Sequence, residues 1–177
     1  VATRAQIRSD DLEPGFKMLS RVARIQTQLI QSWDVLSTMT PSDYTTFRES
    51  LGQSSGFQSW QYRLIEYAVG NRNLAMLKPH AHRPDLTARL EAELARPTLY
   101  DEALRHLARN GLPVPPEVLT RDIRQPWTAH DGVQAAWEVV YRDPGAHWQA
   151  YELAEKLVDF EDYFRRWRFN HLTTVER

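Results

Sequence analysis

Few residues in this chain combine a reactive type with a telling position, and His171 is the first of them. It continues the series Leu153, Leu157, Phe160, Phe164, Trp167, His171, whose alternating steps of four and three place every member on one helical face. A neutral imidazole on such a stripe can ligate haem iron through one nitrogen while a hydrogen-bond acceptor orients the other. Periodicity alone favours the plainer outcome, a core histidine whose polar atoms are satisfied by neighbours.

A second constellation is Tyr44 and Arg48, four residues apart, with Leu51 extending the same face by a turn. A planar guanidinium offers two parallel hydrogen bonds to a carboxylate, and the phenol and leucine beside it can hold a ring. Read without context, Arg48 is a solvated cation paired with Glu49 or with an acid on another helix. Ser54-Ser55-Gly56 brings hydroxyls and backbone N–H groups to the entry of a helix. Such groups can orient an ammonium, a carboxylate or a haem propionate, or simply open the helix.

Other candidates carry less. His80 and His82 flank Ala81 between Pro79 and Pro84 without a third ligand at a convincing spacing. Glu152, Glu155, Asp159, Glu161 and Asp162 invite comparison with di-iron bundles, but no Glu-x-x-His occurs in the chain, and they read as the solvated or ion-paired face of the last helix. P-loop, dinucleotide-glycine, Gly-x-Ser-x-Gly and His-Glu-x-x-His patterns are all missing from the sequence.

The elements that must position these residues are helical throughout. Asp10 and Asp11 precede Pro14, and Phe16, Leu19, Val22, Ile25, Leu29, Trp33 and Leu36 then recur at helical steps, predicting one long helix with a continuous apolar seam. Thr40-Pro41-Ser42-Asp43 supplies a capping hydroxyl, a first-turn proline and an acid for a short helix ending at Leu51-Gly52. Gly52 to Gly56 is a small-residue connection, and Gln58 to Val69 is the next helix, closed by Gly70-Asn71. A loop through Pro79 to Pro84 leads to a helical pair, Asp85 to Leu94 and Thr98 to Arg109. Prolines 113, 115 and 116 predict a meander with at most a turn or two. Val133 to Tyr141 is a short helix, and the last one begins near Gly145. Nothing alternates with the period of a strand, so the expected class is an all-α multi-helix bundle with a long C-terminal helix. Residues 1–177 are read as one domain, with 74–130 as a helical-pair and proline-rich excursion within it.

Composition narrows the partners. Lysine plus arginine number 22 against 23 acids, so no global charge draws the chain to nucleic acid or an anionic membrane. The absence of cysteine excludes disulfides, thiolate metal sites and covalent c-type haem attachment. No apolar run reaches the ~20 residues of a membrane span, which makes a cytoplasmic location the expectation. Six Trp, seven Tyr and six Phe suit helical cores that wall a planar group, although most such rings only fill space. Helical patterns run to both ends, at Ala2–Arg8 and at Leu172–Arg177, so the chain reads as a piece of a longer protein.

Three stretches together resemble the tryptophan 2,3-dioxygenase family, in its bacterial form. They are Trp33-Asp34-Val35-Leu36 running into Met39 to Arg48, then Ser54-Ser55-Gly56-Phe57-Gln58-Ser59 with Gln61-Tyr62-Arg63, and Trp167-Arg168-Phe169-Asn170-His171. The similarity extends through Gly70-Asn71-Arg72-Asn73 and Leu157-Val158-Asp159 over essentially the whole chain. The resemblance implies a helical homotetramer in which ferrous haem b inserts both atoms of O2 across the indole C2–C3 bond of L-tryptophan, giving N-formylkynurenine. It further implies that His171 is the proximal iron ligand, that Trp33 lies near the haem, and that Arg48 holds the substrate carboxylate. Tyr44, Leu51, Ser55 and Gly56 would line the substrate pocket. The family's distal histidine and its Gly-Thr-Gly-Gly loop fall beyond Val1 and Arg177, so these residues hold no catalytic group beyond the haem site and an incomplete active site. Two other readings stay open at this point: an indoleamine dioxygenase-like enzyme of broader specificity, and a non-catalytic helical oligomerisation domain.

Overall fold

A computed structural model describes residues 2–52 and 58–175, with Val175 defined by its backbone alone. Among these residues the regular structure is helical and there is no strand. The helices are α1 (Ala2–Arg8), α2 (Leu12–Leu36), α3 (Pro41–Arg48), α4 (Trp60–Val69), α5 (Pro84–Leu94), α6 (Leu99–Arg109), α7 (Pro116–Leu119), α8 (Asp131–Arg142) and α9 (Trp148–Val175). Short 3-10 segments at Glu49–Leu51 and Leu74–His80 complete them.

The starts follow local chemistry. Thr40 and Asp43 form a reciprocal capping box on α3, the Asp43 amide donating to Thr40 Oγ1 at 3.2 Å and the Thr40 amide to Asp43 Oδ2 at 2.9 Å. Two boundaries differ from the sequence expectation. α8 begins at Asp131 because His130 Nδ1 accepts from the Gly132 amide at 3.1 Å, an N-cap from an unusual residue. The region expected as loop is partly the Leu74–His80 turn, which Asn73 opens by accepting from the Ala75 amide at 3.1 Å. The helix start expected before Pro14 is found there: Asp10 takes the left-handed backbone region at φ 58°, separating α1 from α2.

The chain divides into two compact units, Val1–Gly15 with Ser55–Tyr151 and Phe16–Ser54 with Glu152–Arg177. In the first, the apolar core gathers Leu104 and Leu107 of α6 with Val118, Val133, Ala136 and Val140. A second cluster joins Tyr67 to Leu90 and Leu94. Buried charge is woven between these clusters. Glu93 forms an ion pair with Arg4 at 2.5 Å, and Arg4 donates to the Pro97 carbonyl at 2.6 Å. Glu102, fully buried, accepts from Arg8 at 2.7 Å. Arg72 is 1% exposed and donates to the carbonyls of Glu93 and Arg96. Asp101 serves two neighbours at once: it caps α6 through the Thr98 amide at 2.7 Å and receives Arg121 at 2.8 Å.

The two histidines of the proline-bounded region have different surroundings. His80 is buried, which together with the nearby Arg63 and His82 pushes its pKa down, while His82 is exposed.

In the second unit the seam of α2 departs from the expected course. Leu19 is buried, but Ile25 and Leu29 are 53% and 47% exposed, and the buried residue between Leu19 and Trp33 is Gln26. At 3.6 residues per turn, a residue seven positions on returns to within ~20° of its starting face. Gln26 therefore follows Leu19 inward, whereas Ile25, six positions on, is turned well away. Gln26 Nε2 reaches the Phe160 carbonyl on α9 at 3.4 Å. On α9, Leu153 and Ala154 are buried and the rings from Phe160 to Trp167 are half-buried. The acids Glu155, Asp159 and Glu161 are exposed, and Asp162 pairs with Arg166 at 2.8 Å.

Two outcomes follow from this charge arrangement. Removing one partner of a buried pair costs about 3–5 kcal/mol, so Asp101→Ala, which strands Arg121 and the α6 cap together, is expected to lower stability by that amount in urea unfolding. Asp10 provides the pH test. Hydrogen bonds from Arg109, helped by His106 at 2.5 Å, hold its carboxyl at about 2, below the ordinary aspartate value of 3.8, despite partial burial. A carboxyl depressed in the folded state stabilises fully above its unfolded pKa and loses that contribution as pH falls through the folded value. Asp10→Asn is accordingly expected to flatten the pH dependence of the urea midpoint between about pH 4 and 2.

Candidate functional site

His171 and Trp33 come together in the second unit. Their ring centroids lie 4.9 Å apart with planes inclined by 26°, a stacked contact between α9 and α2. Trp167, one turn before His171, stacks on its other neighbour side at 5.8 Å and 30°, and the two indoles are 6.1 Å apart at 55°. The ladder continues down α9 through Phe164 and Phe160, at 6.4 and 6.0 Å. The four-and-three spacing read from the sequence is thus a physical column of rings. Centroid separations of 4.5–7 Å are those at which aromatic contacts contribute beyond simple burial.

The position differs from the expectation in one respect. His171 is half-buried, not enclosed, because within this unit only the rings of Trp33 and Trp167 stack against it. Among the described residues neither of its nitrogens makes a hydrogen bond. The acceptor expected to orient one of them is not among these residues, and ring stacking takes that place. The imidazole is therefore held by its faces while its nitrogen edges stay available to a ligand. The indole Nε1 of Trp33 is buried and has no hydrogen-bond partner among the described residues.

A shallow, open cleft of ≈ 200 Å³ adjoins this pair, lined by Trp33, Asp34, Ser37, Asn170, Thr173 and Thr174. Its polar residues escaped the sequence reading, which followed apolar spacing. The signal was present in the steps of three and four that join Asn170 to Thr173 and Thr174 on one face. Among the described residues no group of three or more His, Asp or Glu is placed to hold a bare metal ion.

The second constellation forms a separate feature. Tyr44, Arg48 and Leu51 lie on an exposed stretch, Tyr44 and Leu51 being 42% and 44% exposed. Tyr44 packs edge-to-face on Phe47 at 5.3 Å. Among the described residues Arg48 pairs with no acid; its Nη1 donates to the Gly52 carbonyl at 2.7 Å, closing the end of the helix. No hydrogen bond, ion pair or ring contact among the described residues links Tyr44, Arg48 or Leu51 to Trp33 or His171. Ser55 and Gly56 lie outside the described residues.

Comparison with known proteins bears on what these residues are for. The profile of the tryptophan 2,3-dioxygenase family matches residues 4–139 and 128–177. Proteins named tryptophan 2,3-dioxygenase from Bradyrhizobium diazoefficiens and Burkholderia pseudomallei are 65% and 60% identical to the chain over 99% of its length, covering 63% and 58% of their own. A tryptophan 2,3-dioxygenase 1 from Ralstonia nicotianae is 57% identical, again over 99% of this chain and 60% of its own length. The chain thus spans somewhat under two thirds of the length of these relatives. Matched almost from end to end at this level of identity, the chain belongs to the tryptophan 2,3-dioxygenase family.

Proposed function

We propose that the full-length protein is a haem-dependent dioxygenase that opens the indole C2–C3 bond of L-tryptophan with O2 to give N-formylkynurenine, and that this chain supplies its proximal haem ligand and its substrate-carboxylate clamp. The observation that carries the proposal is His171. Its imidazole is stacked on Trp33 and Trp167, with neither nitrogen hydrogen-bonded among the described residues, in a chain of this family. A single nitrogen donor suits an iron that brings its own equatorial ligands, as a porphyrin does. Flat half-buried rings beside it suit the same planar group.

Haem b, ferrous in the working state, supplies the oxygen chemistry when bound. What the chain's own residues contribute is ligation and placement. His171 would give the haem iron a nitrogen ligand, and Trp33 lies against that imidazole. Arg48, whose one hydrogen bond among the described residues is to the Gly52 carbonyl, receives the carboxylate of the amino acid. Tyr44 and Leu51 offer apolar surface to the indole, and Ser55 and Gly56 join them in this reading. Fixing the substrate at its carboxylate holds the ring in one pose, which converts binding into orientation.

A homotetramer completes the proposal. Its support is the row of exposed apolar side chains on α2 and α9, Ile25, Leu29, Val35, Val158, Phe169 and Leu172 among them, since subunit contact is the ordinary cover for such surface. Among the described residues no helix is long and apolar enough to cross a membrane.

His171→Ala in the full-length protein is expected to abolish haem retention and the reduced-haem spectrum; wild-type occupancy in that variant would sink the ligand assignment. Arg48→Ala is expected to raise KM for L-tryptophan about 10- to 150-fold, the equivalent of hydrogen bonds to a charged group, while leaving the response to tryptamine, which has no carboxylate, nearly unchanged. Because Arg48 is exposed, its loss should move the unfolding free energy by no more than about 0.5 kcal/mol. An equal loss toward both compounds would argue against the clamp.

A further inference from the structure

Among the described residues of the second unit, Gly52 alone has a positive φ. Its angles, φ 56° and ψ −132°, are the mirror image of the extended conformation open to every L-residue, and only glycine enters that mirror region without steric cost. Nothing crowds the position: a Cβ added at Gly52 meets no atom of the described residues within 4 Å. The glycine is therefore needed for its backbone angles and not for space.

Those angles have two results. The Gly52 amide donates to the Glu49 carbonyl at 3.0 Å and closes the 3-10 turn Glu49–Leu51. The Gly52 carbonyl returns to the end of α3 and accepts from Arg48 Nη1 at 2.7 Å. Arginine is a long side chain that loses much rotamer freedom when held in one geometry, and its planar fork is selective only while its plane is fixed. All five N–H groups of a guanidinium lie in that plane, so a bond at Nη1 sets the direction of the others. On this exposed stretch the Gly52 carbonyl is the one hydrogen-bond partner that Arg48 has among the described residues.

We propose that Gly52 is a positioning residue for substrate recognition: its positive-φ backbone aims its carbonyl at Arg48 and so orients the guanidinium in advance for the carboxylate of the amino acid. This rests on the reading of Arg48 as the carboxylate clamp. Because Gly52 acts through Arg48, its contribution vanishes when Arg48 is removed. Two substitutions turn the carbonyl away by different routes. Alanine is driven to negative φ. Asparagine tolerates positive φ, but its left-handed basin has ψ of about +47°, roughly 180° from the −132° of Gly52, which turns the carbonyl over.

The experiment is a double-mutant cycle in the haem-loaded full-length protein: wild type, Gly52→Ala, Arg48→Ala and the double variant, with KM and kcat for L-tryptophan and the response to tryptamine measured for each. Gly52→Ala is expected to raise KM for L-tryptophan about three- to tenfold, the worth of one hydrogen bond, with kcat within about twofold. The response to tryptamine should not change, and adding Gly52→Ala to Arg48→Ala should raise KM no further. Should Gly52→Ala misfold by circular dichroism, Gly52→Asn takes its place in the cycle with the same expectations. An unchanged KM in the Gly52 variant overturns the positioning role. So does an equal rise with and without Arg48, or an equal loss toward tryptamine, since a merely structural change in the pocket needs neither Arg48 nor a carboxylate. If Arg48→Ala itself leaves KM for L-tryptophan unchanged, it is the clamp that fails, an outcome distinct from the others, and the role of Gly52 falls with it.

Discussion

A carboxylate taken out of water must be given partners, and the first unit of this protein depends on meeting that demand repeatedly along α5 and α6. Glu93, Asp101 and Glu102 are all buried, and each is answered by an arginine from elsewhere in the chain: Arg4, Arg121 and Arg8. Unpaired, any one of these charges would cost more than the surrounding apolar contacts return. α1 is fixed to α5 and α6 by these pairs as much as by the burial of Ile7. The Asp10 carboxylate, which receives His106 and Arg109, makes the same connection at the turn where α1 ends. The left-handed backbone at Asp10 belongs to this arrangement, since it aims a short acidic side chain back at α6.

The second unit is built on a different principle. Its buried residues are few, Leu19, Gln26, Leu153 and Ala154 among them, and its order comes from a column of rings along α9 with Trp33 laid against its end. Stacked rings resist tilting but do not consume the polar edge of a histidine. That property separates His171 from His106 and His80: one is clasped by Asp10, the other is desolvated and driven toward its neutral form, and neither is available in the same way. Arg48 follows a similar logic. By spending one N–H on the Gly52 carbonyl it fixes its own direction.

Local chemistry was readable from residue order where partners are close in sequence. The capping box at Thr40 and Asp43, the glycine closure of α4, the proline-limited meander and the four-and-three column ending at His171 all depend on residues within a few turns of each other. The pattern failed on α2 beyond Leu19. There the sequence shows hydrophobic residues at plausible steps, but helical rotation carries Gln26 to the packed face and Ile25 away from it. The His130 cap was also hidden, since imidazole is not among the usual capping side chains.

The sequence by itself determined the all-helical class, the family, and which face of the last helix carries the histidine, because propensity, periodicity and motif are properties of neighbouring residues. Only the tertiary structure decided who pairs with whom at long range. Arg8 meets Glu102 across a separation of 94 residues and Asp10 meets His106 across 96, and a charged residue in a sequence carries no mark of whether its partner will be water or an arginine from another helix. The same holds for Trp33 and His171. Each was a suggestive residue in its own segment, but the stacking that holds the imidazole by its face exists only because α2 and α9 pack with those two rings in register.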